Sequence, residues 1–412
     1  MRTPAVGYAA SPGRGLRGQP RPWVKTTDPS LSCESAPLQR FGAAVHPPRL
    51  RLRASHMTKE VNMLVPREEL KALMKNKFMA AGLHEDHAEQ MAEVLTWSSE
   101  RGLHSHGEVR VEYYTERISK GGTTIDPKST WTQTGPCTGI LDGDNGCGYP
   151  FAIEGMKKAI ELAKENGIGF VGVSNVGHTG AIGYYTEMAA KEGMIGLSCT
   201  QSDPMVIPYG GAEPFYGTNP IALAAPTADG RIVSFDMATT VQAWGKILDA
   251  KSAGRSIPEG WAVDEEGLPV TDPHQVNALV AIAGPKGYGL MMMVDILSGV
   301  LLGVPAGKNV SSMYHDLSEG RRLGHLNVAI NPDFFCGGDA FREKMTQVID
   351  ELNAVKPGVG FDKVYWPGER AQMRINATNE AGGIEVVDDI YDYLVSDDLY
   401  RKSWDHKNRF AE

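Results

Sequence analysis

Residues 153–200 read IEGMKKAIELAKENGIGFVGVSNVGHTGAIGYYTEMAAKEGMIGLSCT and carry the pattern that decides the fold. The first part has apolar residues at helical spacing and ends at the helix stop Asn166-Gly167. The apolar run Ile168–Val173 then predicts a strand, and Ile195–Thr200 predicts another beyond a loop of small residues. Helix and strand patterns therefore alternate here, which is typical of an α/β sheet.

The same alternation extends along the chain on both sides of this stretch. Upstream, Leu70–Ala81 and Ala88–Leu95 have the spacing of amphipathic helices, and a Gly/Pro/Thr-rich connection runs from Gly121 to Pro136. Downstream, we predict strands and helices over the following ranges: strands Ile221–Ala225 and Arg231–Asp236, helices Gly287–Leu302 and Asp388–Val395. We therefore predict an α/β sheet with both faces covered.

The net charge of −9 combines two unlike segments. Residues 1–56 carry nine Arg/Lys against two acids, whereas the remaining 356 residues have a net charge of −16. An acidic body argues against a nucleic-acid surface, which needs a basic face. The segment 1–56 also holds eight prolines and five glycines, so we predict that it is disordered. It is either a targeting tail, which its prolines disfavour, or a non-native extension with the true start at Met57 or Met63.

Cysteine usage and hydropathy narrow the class further. Five cysteines form no CxxC or Cys/His cluster, which favours a reducing cytoplasm over a disulfide framework. The longest apolar run, Gly287–Val304, contains Asp295 and is shorter than the roughly 20 apolar residues of a membrane span. We interpret it as a buried helix. Scattered histidines without suitably spaced carboxylates predict no metal site.

Two glycine patterns resemble phosphate loops but lie in the wrong context. Gly167–Gly172 matches G-x-G-x-x-G, yet it follows a helix and lies inside a strand, whereas a dinucleotide loop follows a strand and opens a helix. Gly172–Thr179 matches a Walker A frame with His178 in place of the lysine. The pattern places His178 after a strand and close to a helix N-terminus, where anions are favoured.

The densest group of chemically competent residues is Ser105-His106-Gly-Glu108-Val-Arg110, followed by Tyr114. The S-x-x-E spacing predicts a capping box that starts a helix, with His106, Arg110 and Tyr114 on one face. Arg110 can clamp a carboxylate, and His106 can exchange a proton near neutral pH. An ordinary surface helix with a serine cap fits the same spacing, and His178 is a second candidate for the proton transfer.

Polar side chains also follow the predicted strands. Ser202 follows one strand, Asp236-Met237-Ala238 ends another, and Lys286 precedes the apolar helix. Such residues bind ribose or phosphate, but they also form turns or solvated surface. The residues alone indicate a cleft enzyme that acts on a small anionic substrate, with or without a nucleotide, and leave the reaction open.

Five blocks in order give the sequence a resemblance to the malate/L-lactate dehydrogenase family of NAD(P)-dependent oxidoreductases, which do not have the Rossmann fold. They are RGLHSHGEVRVEYYTERISKGG at 101–122, QSDPMVIPYGGAEPFYGTNP at 201–220, FDMATTVQAWGKILDA at 235–250, PKGYGLMMMVDILSGVLLG at 285–303 and VVDDIYDYL at 386–394. The match covers about residues 63–410, and the N-terminal 62 residues have no counterpart.

The resemblance implies a mixed-sheet, non-Rossmann α/β fold with a helical substrate lobe behind a disordered tail. The expected boundaries are 1–62 for the tail, 63–135 for the helical part of the substrate and dimerisation lobe, 136–285 for the cofactor lobe, and 286–412 for the part that completes both sites. It also implies oxidation of (S)-ureidoglycolate to oxalurate with NAD+, in allantoin breakdown, by a homodimer or larger homo-oligomer.

The resemblance also assigns roles to residues. His178 matches the proton acceptor, although His106 has the acid/base role in other members of the family. Ser105, Arg110 and Tyr114 match substrate-pocket positions. The matching cofactor positions are Ser202, Asp236, Met237, Ala238, Lys286, Gly368, Glu369 and Arg370. Alternatives are another acid (malate, lactate, sulfolactate), reduction of an imine acid, use of NADP, or a catalytically silent nucleotide-binding or scaffold protein.

Overall fold

The computed structural model describes residues 62–406. The predicted disordered tail lies outside this range except for Asn62, which begins the first strand. The helices of the described part are α1 (Arg67–Ala80), α2 (Glu85–Glu100), α3 (Val111–Ser119), α4 (Gly148–Asn166), α5 (Gly183–Lys191), α6 (Trp244–Ser252), α7 (Pro285–Ser298), α8 (Gly338–Asn353), α9 (Glu369–Ala381) and α10 (Asp388–Val395). The strands are β1 (Asn62–Val65), β2 (Thr130–Gln133), β3 (Thr138–Gly146), β4 (Ile168–Val176), β5 (Ile195–Thr200), β6 (Ile221–Pro226), β7 (Ile232–Met237), β8 (Ala262–Val263), β9 (Ala278–Leu279), β10 (Leu323–Ile330) and β11 (Ile384–Val387).

The main sheet has seven strands in the order β2-β3-β4-β10-β5-β6-β7. Strands β3 and β4 are parallel, whereas β10 pairs antiparallel with both β4 and β5. The late strand β10 thus lies between two strands that are consecutive in this region of the chain. The prediction of a mixed-sheet α/β fold is confirmed.

Helix α4 covers one face of the sheet at unusually close range. A Cβ atom added at Gly169 of β4 would lie 1.9 Å from the Ala159 carbonyl oxygen, and one added at Gly155 of α4 would lie 2.5 Å from Val173 Cγ2. The helix ends as predicted at Gly167, whose φ of 85° suits a glycine C-cap. Of the rejected G-x-G-x-x-G pattern, Gly169 therefore permits close helix–strand packing and Gly167 ends the helix.

Helix α7 packs on the opposite face of the sheet. Val294 lies in a buried cluster with Leu326 and Val328 of β10. The prediction of a buried helix over Gly287–Leu302 is wrong, because α7 ends at Ser298 and much of its surface is open. Its Met293 side chain is 50% exposed, and Leu301 in the following 3-10 turn is 54% exposed. The sequence pattern identified the apolar residues of this segment but did not show which of them are buried.

A helical layer built from α1, α2, α3 and α10 packs beside α4. The predicted helices at α1, α2 and α10 are confirmed, and α10 has the predicted bounds. The predicted capping box is wrong: Ser105–Arg110 forms 3-10 turns, and α3 begins only at Val111 without a side-chain cap. The predicted connection Gly121–Pro136 contains the edge strand β2. Within residues 62–406, no helix is long and apolar enough to cross a membrane.

Candidate active site

His178 lies in the loop that follows β4. Its Nδ1 atom is 2.7 Å from the Tyr114 hydroxyl and 3.3 Å from the backbone nitrogen of Gly180. The Tyr114 hydroxyl is in turn 2.8 Å from the hydroxyl of Tyr149 at the start of α4. These contacts fix the imidazole through Nδ1 and leave Nε2 for a ligand.

The structure brings the predicted substrate residues to this histidine, although not by a shared helical face. The rings of His106 and His178 have centroids 6.3 Å apart. Arg110 Nε donates to the Ser105 carbonyl oxygen at 2.7 Å, and Arg110 Nη1 donates to the Tyr314 hydroxyl at 2.7 Å. The 3-10 turns therefore bring His106 and Arg110 near His178, as the predicted helix was expected to do.

Glu108 explains why the capping box does not form. Its carboxylate accepts a hydrogen bond from the Ser99 hydroxyl at 2.5 Å and lies 2.7 Å from His104 Nδ1. Ser105 instead places its hydroxyl 3.1 Å from His106 Nδ1. The serine thus orients a candidate site residue, and the glutamate is used to attach the turn to α2.

The environment keeps both histidines neutral near pH 7. Burial lowers the pKa of His178 well below its ordinary value, and His106, Arg110 and Arg321 act in the same direction. Burial and the neighbouring Arg110 lower the pKa of His106 to about 4. A neutral imidazole can accept a proton, so either ring is in the protonation state that a general base requires.

The predicted cofactor residue Ser202 belongs to a hydrogen-bonded set of segments after the strands. Its Oγ accepts a hydrogen bond from the Thr218 backbone N–H at 2.8 Å, and the Thr218 carbonyl accepts one from the Thr239 N–H at 2.9 Å. The Thr239 carbonyl accepts from the Ile282 N–H at 3.0 Å, shortly before Lys286. This chain of contacts joins the segment after β5 to the N-terminal end of α7.

The other predicted cofactor residues lie along and beside β7. Asp236 accepts a hydrogen bond from the Gly183 N–H at 2.8 Å, at the start of α5, and is followed by Met237 and Ala238. The segment Gly368–Arg370 is attached to β7 at Ser234, two residues before Asp236, because the Ser234 N–H donates to the Pro367 carbonyl at 2.9 Å. Glu369 pairs with Lys363, and Arg370 lies over the Tyr365 ring at 4.5 Å. Among the described residues, no hydrogen bond or ion pair joins this segment to Ser202 or Lys286.

A glycine-rich cavity next to Lys286 was not predicted from the sequence. Its volume is about 460 Å³, within the range of small-molecule sites, and its walls include residues 209–212, 280–281 and 283–284. Lys286 is exposed in the first turn of α7, where its charge adds to the helix dipole. The signal in the sequence was the pair of runs Gly210-Gly211 and Ala283-Gly284, which no motif distinguishes from turns.

The chain is similar to known proteins in sequence and in fold. Residues 65–395 match the family described as malate/L-lactate dehydrogenase. The chain belongs to this family. It is 55% identical over 350 residues to ureidoglycolate dehydrogenase (NAD(+)) of Escherichia coli (strain K12), covering 85% of this chain and 100% of that protein.

More distant relatives have the same fold. The chain is 38% identical to malate dehydrogenase of Pyrococcus horikoshii, over 77% of this chain and 90% of that one. It superposes on the structure of sulfolactate dehydrogenase from Methanocaldococcus jannaschii with a TM-score of 0.75 and 34% identity, covering 81% of this chain and 95% of the other. Within the described range no group of three or more His, Cys, Asp or Glu side chains is placed to hold a metal ion.

A buried polar network supports the loop that carries His178. His325 of β10 is fully buried, with Nδ1 3.2 Å from the Thr179 hydroxyl and Nε2 3.0 Å from Asn327 Oδ1. Asn327 also accepts from the Ser198 hydroxyl at 2.6 Å and donates to the Ala152 carbonyl at 3.0 Å. The central strand thus holds β5, α4 and the His178 loop in one arrangement.

This network predicts a specific acid sensitivity. Burial lowers the pKa of His325 to about 4, so below about pH 6.5 the unfolded chain binds a proton that the folded chain refuses. Folding stability should therefore fall as the pH drops from about 6.5 towards 4. We expect His325→Gln to reduce the loss of unfolding free energy between pH 7 and pH 5 by about 2 kcal/mol.

Urea titrations of wild type and variant at the two pH values measure this difference. His274→Gln is the matched control, because His274 is exposed. A pH dependence in His325→Gln equal to that of the wild type would contradict the prediction.

Proposed function

We propose that the protein oxidises (S)-ureidoglycolate to oxalurate with NAD+, within allantoin degradation in the cytoplasm. The observation that carries the proposal is the contact between His178 and Tyr114, near Arg110. It occurs in a chain that matches the whole length of ureidoglycolate dehydrogenase (NAD(+)) of Escherichia coli. A carboxylate anchor and a neutral base are the groups that dehydrogenation of a 2-hydroxy acid needs from the protein.

Arg110 binds the substrate carboxylate. Its Nε is used by the Ser105 carbonyl and its Nη1 contacts the Tyr314 hydroxyl, so the guanidinium is fixed before substrate arrives. The edge formed by Nη1 and Nη2 then offers a bidentate contact, which a lysine cannot reproduce. The anchored carboxylate directs the adjacent hydroxyl towards the two histidines.

His178 takes the hydroxyl proton on Nε2. Acceptance on Nε2 requires the tautomer protonated on Nδ1, in which that N–H donates to the Tyr114 oxygen, the Tyr114 hydroxyl donates onward to Tyr149, and the Gly180 N–H gives up its contact with Nδ1. The contacts therefore hold the ring with its Nε2 lone pair free for the substrate and stabilise the imidazolium that forms. His106 is the alternative base. Its Nδ1 contacts the Ser105 hydroxyl, and this contact is more exposed than the one between His178 and Tyr114.

The residues that would hold NAD+ are Ser202, Asp236–Ala238, Lys286 and Gly368–Arg370. When bound, NAD+ supplies the acceptor for the hydride that leaves the substrate carbon. Exposed Lys286 at a helix N-terminus suits a pyrophosphate, and the Asp236 carboxylate suits a ribose hydroxyl. We accordingly assign residues 136–285 to the cofactor lobe, and 63–135 with 286–412 to the substrate lobe and the completion of both sites.

The substrate assignment is tested by following NADH formation at 340 nm with a panel of acids. We expect (S)-ureidoglycolate to give a kcat/KM at least about tenfold above malate, lactate and sulfolactate. The reason is that the chain is 55% identical to a ureidoglycolate dehydrogenase but 38% identical to a malate dehydrogenase. NADP+ in place of NAD+ should reduce the rate. Preference for another acid would reassign the substrate within the family, and NADH binding without turnover of any acid would favour a silent nucleotide-binding protein.

The roles of the two histidines are tested by pH profiles. A general base must be deprotonated, so kcat/KM should rise with pH through the lowered pKa of His178. His178→Ala should lose this acidic limb and most of the rate, whereas His106→Ala should keep the limb. If the limb disappears in His106→Ala and survives in His178→Ala, the roles are exchanged.

We also propose that two copies associate through the apolar surface of α7 and the 3-10 turn after it. Met293 and Leu301 are about half exposed there, and neighbouring Val300 is 60% exposed, which is unusual for a lone subunit. Met293→Glu should shift the protein towards monomer in sedimentation velocity, because a charge would be buried without a partner. Val359→Glu, at a fully exposed valine, is the control and should leave the dimer intact. A wild type that sediments as a monomer would refute the proposal.

A further inference from the structure

Arg321 is a buried cation whose hydrogen-bonding capacity is only partly used. Its side chain is 2% exposed, and neither Nε nor Nη1 has a hydrogen-bond partner. Its Nη2 atom lies 3.6 Å from Asp203 Oδ1, which supplies a counter-charge at long range. Donors of a buried charged group that stay unpaired are costly, which points to an acceptor absent from the ligand-free protein.

The Arg321 side chain reaches the candidate active site. Arg321 lines a small cavity together with His178, Tyr114 and Gly177. Its positive charge also acts on His178 directly, since it is one of the groups that lower the pKa of that ring. The proton acceptor of the proposed reaction and the unpaired guanidinium therefore share one space.

The cavity has the size of a single polar atom. Its volume is about 20 Å³, and a water molecule needs roughly 10–15 Å³. Cys147, the N-cap of α4, and Gly148, its first residue, form part of the cavity wall, so the positive end of that helix also faces the cavity. One acceptor oxygen would fill the cavity and pair the donors.

Arg117 lines the same cavity but is engaged elsewhere. Its guanidinium donates to the carbonyl oxygens of Met313 and Glu319 and lies 3.4 Å from the Tyr113 hydroxyl, with only Nε unpaired. Arg117 thus holds the loop after α7 in place. Arg321 is the residue with two donor nitrogens, Nε and Nη1, left for a ligand.

We propose that Arg321 binds the carbonyl oxygen of the substrate's ureido group and selects 2-hydroxy acids whose third substituent carries such an acceptor. This inference rests on the proposed function. With the carboxylate on Arg110 and the hydroxyl at His178, the remaining substituent of the reacting carbon would extend into the cavity that His178 shares with Arg321. An apolar substituent there would leave the donors unpaired, and the site would reject it.

The first test uses the wild type and an apolar copy of the substrate. The 2-hydroxy-4-methylpentanoate enantiomer of the same spatial arrangement has the heavy-atom skeleton of ureidoglycolate but no acceptor. We expect its kcat/KM to be lower by about 100-fold or more, as in sites that hydrogen-bond a buried polar group. Equal rates for the two acids would overturn the Arg321 assignment, and failure to oxidise either acid would instead overturn the proposed function.

The second test removes the donors. Arg321→Met should lower kcat/KM for ureidoglycolate by about 100-fold while the apolar acid is unchanged or faster, so that the ratio between the two acids collapses. Arg322→Met removes the same charge at the next, exposed residue and should leave the ratio unchanged. A variant that loses activity equally with both acids would show a merely structural role and refute the proposal. If Arg321→Met does not fold, the wild-type comparison decides.

Discussion

The hydrogen bond between Tyr114 and His178 joins the two halves of the candidate site. Most of the geometry of the site depends on this bond. Tyr114 belongs to the helical layer, and His178 follows a central strand of the sheet. The tyrosine is buried, so its hydroxyl needs a partner, and it meets both His178 and Tyr149. Satisfying one buried hydroxyl therefore fixes the distance between α3, α4 and the loop after β4. Arg110, one turn before Tyr114, is positioned by the same constraint.

The sheet and its close packing against α4 account for the glycine pattern that resembles a Rossmann loop. Strand β10 separates β4 from β5 and carries His325 and Asn327, which tie the ends of both strands to α4. Gly169 lies inside β4, where a side chain would collide with the α4 backbone. Its glycine therefore serves packing, and candidate anion sites are left to Lys286 and the first turn of α7.

Local sequence patterns predicted helices and strands well, but they predicted contacts between distant residues poorly. Strand Ile195–Thr200 and helix Asp388–Val395 were predicted with their observed bounds, because apolar periodicity and caps are local signals. The capping box failed because Glu108 is taken by Ser99 and His104, a contact with α2 that spacing cannot reveal. The set His106, Arg110 and Tyr114 was predicted from residue type, and the structure brings these residues near His178 although the predicted helix is wrong. Arg321 was missed, since its signal is a pair of buried donors without acceptors.

In the proposed mechanism, Arg110 and Arg321 also link substrate binding to the basicity of His178. With the site empty, the positive charges of Arg110 and Arg321 help to lower the pKa of that histidine and keep it unprotonated. A bound carboxylate neutralises part of this charge, so the pKa of His178 rises when the substrate hydroxyl is in place. The affinity of the ring for a proton thus increases at the step that delivers one. A base that became basic only in the presence of substrate would stay neutral in the free enzyme across the physiological pH range.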